Sequence, residues 1–273
     1  MTQLSDRVNK LAESATIAMS AKSRELKAQG KDVISLSLGE PDFNVPDFVK
    51  EAGKKGIDEN YSKYMPVPGY LDLRQSISAK FKRDNGLDYS ADQIVVSTGA
   101  KQCIINTILC LINPGDEVII PVPYWVTYVE QVRMAEGVPV LIETSLEDDF
   151  KMTPEQLKSA ITDKTKLMIF SNPCNPTGSA YSEEELGAIA EVVAATPNFY
   201  VISDEIYEHI NFVGKNHSFA KFPGVYDRTI TVNGVSKAFA MTGYRVGYIG
   251  APLAIAKACS KIQGQYTSGT GSI

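Results

Sequence analysis

The sequence has little of what metal and thiol centres need. Its two histidines, His209 and His217, lie in one polar stretch, so no histidine set is available for a metal and acid–base work must fall to other side chains. The four cysteines, Cys103, Cys110, Cys174 and Cys259, form no Cys-x-x-Cys pair. Neither a zinc site nor a disulfide framework is indicated, and Cys103 and Cys110 read as core thiols on one helical face. No apolar run could span a bilayer, and the first residues carry no signal-peptide core. The expectation is a cytoplasmic protein without a membrane partner. Basic runs are missing too: 27 basic against 32 acidic groups give a formal charge of −5, which argues against nucleic acid. Tryptophan occurs once, at Trp125.

What is present is apolar and regularly spaced. With 44% hydrophobic residues in 273, the chain can bury a large core. Residues 5–30 show helical spacing and close on Gly30; Val33 to Leu38 alternates like a short strand. A helix is expected from Asp47 to Asn60. After a loop holding Tyr61, Tyr64, Pro66 and Pro68 comes a second, with Leu73, Ile77 and Phe81 on one face. From residue 94 short β-branched runs alternate with helical stretches: 94–97, 117–120, 138–142, 167–170, 200–203, 229–232 and 246–250. Thr153-Pro154-Glu155-Gln156 and Ser182-Glu183-Glu184-Glu185 mark helix starts. Seven strands alternating with helices predict an α/β fold with a mostly parallel, doubly wound sheet. A soft boundary lies near residues 39–46.

Ligands of such sheets sit beyond the strand ends, and there the sequence places its chemistry. Ser97-Thr98-Gly99-Ala100-Lys101-Gln102 joins a strand to a helix with small residues, as a phosphate-binding turn requires. Trp125, after Pro121-Val122-Pro123-Tyr124, offers either a core aromatic or a flat face for a planar ligand. Asn172-Pro173-Cys174-Asn175-Pro176 invites a cis bond and fixes an amide at the edge. Asp204 ends a buried strand, where a carboxylate calls for a cationic partner, and Tyr207 follows. Ser236-Lys237 and Arg245 flank a loop between the last two strands; a desolvated lysine near a cationic group suits Schiff-base chemistry. A phosphate nest, an aromatic face, an amide, an aspartate with a tyrosine and a lysine with an arginine together describe a site for pyridoxal phosphate.

These segments, with Leu38-Gly39-Glu40-Pro41-Asp42-Phe43 and Lys63-Tyr64, resemble the class I pyridoxal-phosphate-dependent aminotransferases of the aspartate aminotransferase family, in particular the bacterial-type aspartate/prephenate branch. The resemblance covers almost the whole chain. It implies the large domain of the fold-type I transferases over residues 46–273. Residues 1–45 would belong to the small domain and dimer arm, and the C-terminal part of the small domain would be absent, with the arginine that grips the α-carboxylate. It further implies a homodimer with shared active sites, to which Tyr64 contributes across the interface. The activity implied is transfer of an amino group between L-aspartate or L-glutamate and 2-oxo acids by ping-pong exchange. A C–S lyase on the same site and a non-catalytic cofactor-binding fragment are the other readings.

By the same resemblance, Lys237, Asp204 and Tyr207 are the catalytic residues. Gly99, Ala100, Lys101, Tyr64, Trp125, Asn175, Ser236 and Arg245 would join them in holding pyridoxal 5'-phosphate. Lys237 would attach the cofactor and move a proton, Asp204 would keep its ring nitrogen protonated, Tyr207 and Asn175 would bond its phenolic oxygen, and Arg245 would clamp the phosphate. Gly39, Lys101, Trp125 and Asn175 would face the substrate, Lys101 toward its distal carboxylate. Val45 stands where the family has threonine, which removes a hydroxyl near the substrate's far end and weakens the case for bulky keto acids such as prephenate. No metal is called for.

Overall fold

The computed structural model describes residues 4–273. Its centre is a seven-stranded sheet in the order β1-β7-β6-β5-β4-β2-β3. The strands are β1 (Ile94–Thr98), β2 (Glu117–Val122), β3 (Val138–Glu143), β4 (Thr165–Ser171), β5 (Tyr200–Asp204), β6 (Thr229–Gly234) and β7 (Val246–Gly250). Neighbours are parallel except β7, which runs antiparallel to both β1 and β6. Six strands therefore point the same way, and their carboxyl ends form one edge. The reversal of β7 brings the residues just before it to that same edge. This matches the expected α/β architecture.

The strands read as near-continuous apolar runs because both faces are covered. On one face α5 (Ala100–Leu111), α6 (Thr127–Met134) and α9 (Leu253–Tyr266) bury Ile104, Ile108, Val132 and Ile255 against Val95, Ile120, Ile202 and Ile249. On the other, α7 (Pro154–Ala160) and α8 (Glu183–Ala195) bury Leu157, Leu186, Ile189 and Val193 against Ile119, Met168 and Val201. Each such side chain contributes about 1.5–3 kcal/mol by leaving water. The starts of α7 and α8 are the capping boxes expected, Thr153 with Gln156 and Ser182 with Glu185.

The N-terminal region departs from expectation in three places. Residues 5–30 form two helices, α1 (Asp6–Lys10) and α2 (Ala15–Ala28), because Leu11 turns extended and the chain stays non-helical until Ala15. Val33 to Leu38 is no strand: no other strand pairs with it among the described residues, and Ile34 and Leu36 are more than four-fifths exposed. Alternation without a neighbouring edge leaves backbone groups to water. After α3 (Asp47–Asp58), α4 (Leu71–Lys80) buries Ile77 and is followed by a π-helical turn, Phe81–Asn85, that buries Phe81; Leu73 stays outside. No helix among the described residues is long and apolar enough to cross a membrane.

Candidate active site

The carboxyl edge gathers the residues that the sequence singled out from five separate strand ends. After β1, Gly99 has φ of +80° and precedes the first turn of α5. A Cβ at Gly99 would overlap the Arg245 guanidinium, and one at Gly247 would overlap the Ala100 amide. The two glycines thus let an arginine and a strand press against the amino end of α5. Arg245, itself left-handed at φ +58°, is held by Nη1 donating to the Thr242 carbonyl at 2.9 Å. The first amides of a helix have no intrahelical partner. Those of Ala100 and Lys101 beside a guanidinium form a cradle suited to a doubly charged anion.

At the middle of the edge, Asp204 is buried. It accepts from the Tyr128 hydroxyl at 2.7 Å and the Ile206 amide at 3.3 Å. Burial pushes its carboxyl up to about 6, against the pull of Tyr128, Ile206 and the Lys237 charge. The cationic partner expected for it is not provided: no Lys or Arg makes an ion pair with Asp204 among the described residues. Its neighbours are a phenol and an amide, which satisfy the lone pairs without cancelling the charge. Tyr207 accepts from Asn175 Nδ2 at 3.2 Å, and burial, helped by Asp204, pushes its phenol up to about 12. Asn175 and Asn172 each precede a cis proline, as the proline density suggested.

Lys237 closes the group. Its Nζ lies 5.6 Å from the Tyr207 ring centre and donates to the Gly39 carbonyl at 2.6 Å. Burial pulls its pKa below that of an ordinary lysine; Glu40 and Asp204 oppose this and Arg245 adds to it. Ser236, just before it, is buried. Trp125 meets Tyr128 edge-on, centroids 5.5 Å apart, and Lys101 Nζ lies 5.0 Å from the Trp125 ring centre. Burial and the Arg245 charge lower the pKa of Lys101.

Two residues lie outside this convergence or only touch it. Tyr64 is 99% exposed and makes no hydrogen bond within the described residues. Gly39 reaches the site only through its carbonyl, on a segment otherwise tied down by Thr242 Oγ1 donating to Glu40 at 3.2 Å. The sequence reading missed Tyr128, Glu40 and Thr242. Tyr128 sits three positions after Trp125, in the turn that opens α6, where its amide donates to the Trp125 carbonyl at 3.0 Å, and that spacing was the available signal. No cluster of three or more metal-ligating side chains occurs among the described residues.

Comparison with known proteins gives a consistent picture. Residues 31–273 match the family model described as aminotransferase class I and II. A bifunctional aspartate aminotransferase and glutamate/aspartate-prephenate aminotransferase of Petunia hybrida is 51% identical over 271 residues, 99% of this chain and 57% of that protein. An aspartate/prephenate aminotransferase of Cereibacter sphaeroides is 48% identical over 275 residues, covering 100% of this chain and 69% of that one. Among solved structures, the aspartate aminotransferase of Thermus thermophilus with maleate superposes with a TM-score of 0.96 at 42% identity, over 100% of this chain and 70% of that chain. The chain thus spans little more than half the length of the Petunia relative.

Proposed function

We propose that this chain, which belongs to the class I and II aminotransferase family, binds pyridoxal 5'-phosphate and exchanges amino groups between L-aspartate or L-glutamate and 2-oxo acids. The observation that carries the reading is Asp204: a buried carboxyl with two donors and no cation, at the centre of a site that also holds a half-desolvated lysine. A cationic ring nitrogen would supply the missing charge. The Gly99–Ala100–Arg245 cradle fits the phosphate, Tyr207 and Asn175 fit a phenolic oxygen, and the Trp125 face fits a planar ring. The residues present therefore suit the cofactor. Lys101 and Ser236 complete its surroundings.

Bound there, pyridoxal phosphate supplies an electrophilic carbonyl and an electron sink. The chain's own residues do the rest. Lys237 Nζ, with its proton affinity reduced by burial, would hold the cofactor and, once freed by the substrate amine, would take the proton from the substrate's α-carbon and deliver it to the cofactor's former aldehyde carbon. For this it would leave the Gly39 carbonyl, to which it now donates, and Gly39 would face the substrate. Asp204 would hold a proton on the ring nitrogen, its carboxyl oriented by the Tyr128 hydroxyl. Tyr207 and Asn175 would stabilise negative charge on the ring oxygen. Lys101, over the Trp125 face, would pair with a distal carboxylate, which would favour acidic amino acids over the sulfur-containing substrates of a lyase.

We assign residues 1–45 to a small-domain and dimer-arm segment and residues 46–273 to the large domain. The full exposure of Tyr64 and of Leu36 supports an arm that finds its cover on a second copy, with Tyr64 entering the partner's site. A cytoplasmic location goes with this reading.

The deciding experiment is the visible spectrum of the purified chain with pyridoxal phosphate, before and after L-glutamate. A cofactor band that appears and then shifts to that of the aminated cofactor is the expected result. A band that glutamate leaves unchanged marks a cofactor-binding chain without transamination, and no band at all overturns the proposal.

A further inference from the structure

Behind the turn that carries Tyr207 lies a buried polar cluster that the proposed chemistry does not use. Asp204 and Glu205 are consecutive at the end of β5, yet they turn to different partners. Glu205 is 0% exposed. Its Oε1 accepts from Ser203 Oγ at 2.9 Å and the Phe219 amide at 3.1 Å; its Oε2 accepts from Ser218 Oγ at 2.5 Å and Asn85 Nδ2 at 3.4 Å. Glu208, three residues on, accepts from Asn85 Nδ2 at 2.6 Å, from Asn233 Nδ2 at 2.8 Å and from Lys80 Nζ, with His209 Nε2 at 3.3 Å. Asn85 thus bridges the two carboxyls, and its own Oδ1 accepts from Lys80 Nζ at 2.7 Å.

This cluster ties four segments to one turn: the π-helical turn after α4, β5, β6 and residues 218–219. Main-chain bonds complete it, from the Glu205 amide to the Val232 carbonyl at 2.9 Å and from the Glu208 amide to the Glu205 carbonyl at 3.0 Å. Tyr207 stands between two residues whose side chains are both pinned. A buried carboxyl is costly unless its acceptors are matched, and an apolar residue would fill the space with no such demand. What a fully satisfied polar network adds is a single orientation. Burial pushes the Glu205 carboxyl up to about 7, with the Glu208 charge adding to it, which fits a group kept for its bonds.

We propose that Glu205, acting with Asn85 and Glu208, is a positioning residue for the active site. It fixes the 205–208 turn so that the Tyr207 hydroxyl, bonded to Asn175, and the Asp204 carboxyl are presented together. This rests on the cofactor reading above, but the first half of its test needs no cofactor.

In chain labelled with ¹³C at the tyrosine Cζ, the resonance lost in Tyr207→Phe identifies Tyr207. That resonance is expected to move in Glu205→Gln and in Asn85→Ala while the near-ultraviolet dichroism stays native. A Tyr207 resonance unmoved in both folded variants overturns the proposal. In the loaded chain, the pH midpoint of the visible band is expected to rise in Glu205→Gln by about one unit, in the direction that Tyr207→Phe moves it, as for one weakened hydrogen bond to the ionised form. A midpoint equal to wild type, with only the melting temperature lowered, assigns Glu205 to stability and also overturns the idea. If Glu205→Gln does not fold, Ser218→Ala removes one donor, keeps the carboxyl and carries both comparisons. Absence of a visible band in the wild type itself would reject the cofactor reading and leave the resonance comparison to decide this one.

Discussion

Leu36 and Ile202 come from runs that look alike as sequence, short and apolar with turn formers nearby, yet Leu36 is 89% exposed and Ile202 is 0% exposed. The contrast extends to their regions. Before Ile77, Met65 is the one apolar residue that is buried among those described, while Ile17, Met19, Ile34, Phe48 and Ile57 face outward. From Ile94 onward most strand positions are enclosed, the edge strand β3 being the exception. The same side chains take opposite roles because burial needs a second surface. The sheet supplies its own in α5, α8 and α9, and the N-terminal region does not.

Substitutions on the two sides separate them, and the largest effect belongs to the sheet edge. Lys237→Ala is expected to abolish the visible cofactor band and all amino transfer; a wild-type spectrum in that variant would show that another lysine carries the chemistry. Next comes packing. Ile108→Ala, in α5, is expected to cost about 2–5 kcal/mol of unfolding free energy in urea titrations. Leu36→Ala should stay within about 0.5 kcal/mol for the isolated chain. A larger, concentration-dependent loss at Leu36 would show that a second copy covers the arm.

A third effect is electrostatic and confined to the sheet edge. The Asp204 carboxyl has a folded pKa of about 6 against an ordinary 3.8, so the folded chain favours its protonated form. Its stabilising contribution is full below about pH 4 and is lost as pH rises toward 6 and above. The difference of about 2 units corresponds to about 3 kcal/mol. Melting curves of the cofactor-free chain across pH 4–7 should be flatter in Asp204→Asn than in wild type. An equal slope would mean that Asp204 is compensated in solution. Glu205 acts in the same sense between its ordinary 4.5 and about 7, so the wild-type slope is the sum of both.

Smaller effects follow nearer the arm. Tyr128→Phe removes the shorter of the two bonds to Asp204 and should raise the Asp204 pKa further while costing about 1–2 kcal/mol. Thr242→Val cuts the tie to Glu40 and should cost less than about 0.5 kcal/mol, with faster amide exchange confined to residues 38–42. Exchange that speeds up across the sheet as well would contradict the separation of the two regions.

The sheet and its edge were legible because each strand end announced itself locally. A β-branched run that closes on small, polar or turn-forming residues placed Gly99, Asn175, Asp204 and Lys237 at one edge. Residues 31–46 misled for the same reason: alternation at Val33 to Leu38 states a preference, and pairing needs an edge that local sequence cannot report. Tyr128 was missed because its role depends on α6 bringing the hydroxyl to the end of β5. The absence of an ion pair at Asp204 was equally hidden, since desolvation is a property of the whole fold.

One feature of the site also makes the molecule observable. Trp125 is the single tryptophan, and it stands at the sheet edge against Tyr128 with Lys101 over its ring. The intrinsic indole fluorescence therefore has one source, located where a planar ligand is expected to lie. No background from a distant tryptophan dilutes it. A ligand that stacks there, or a charge that arrives at Lys101, registers directly in emission intensity and wavelength, so occupancy of this site can be followed in the unlabelled protein at any stage of its folding or assembly.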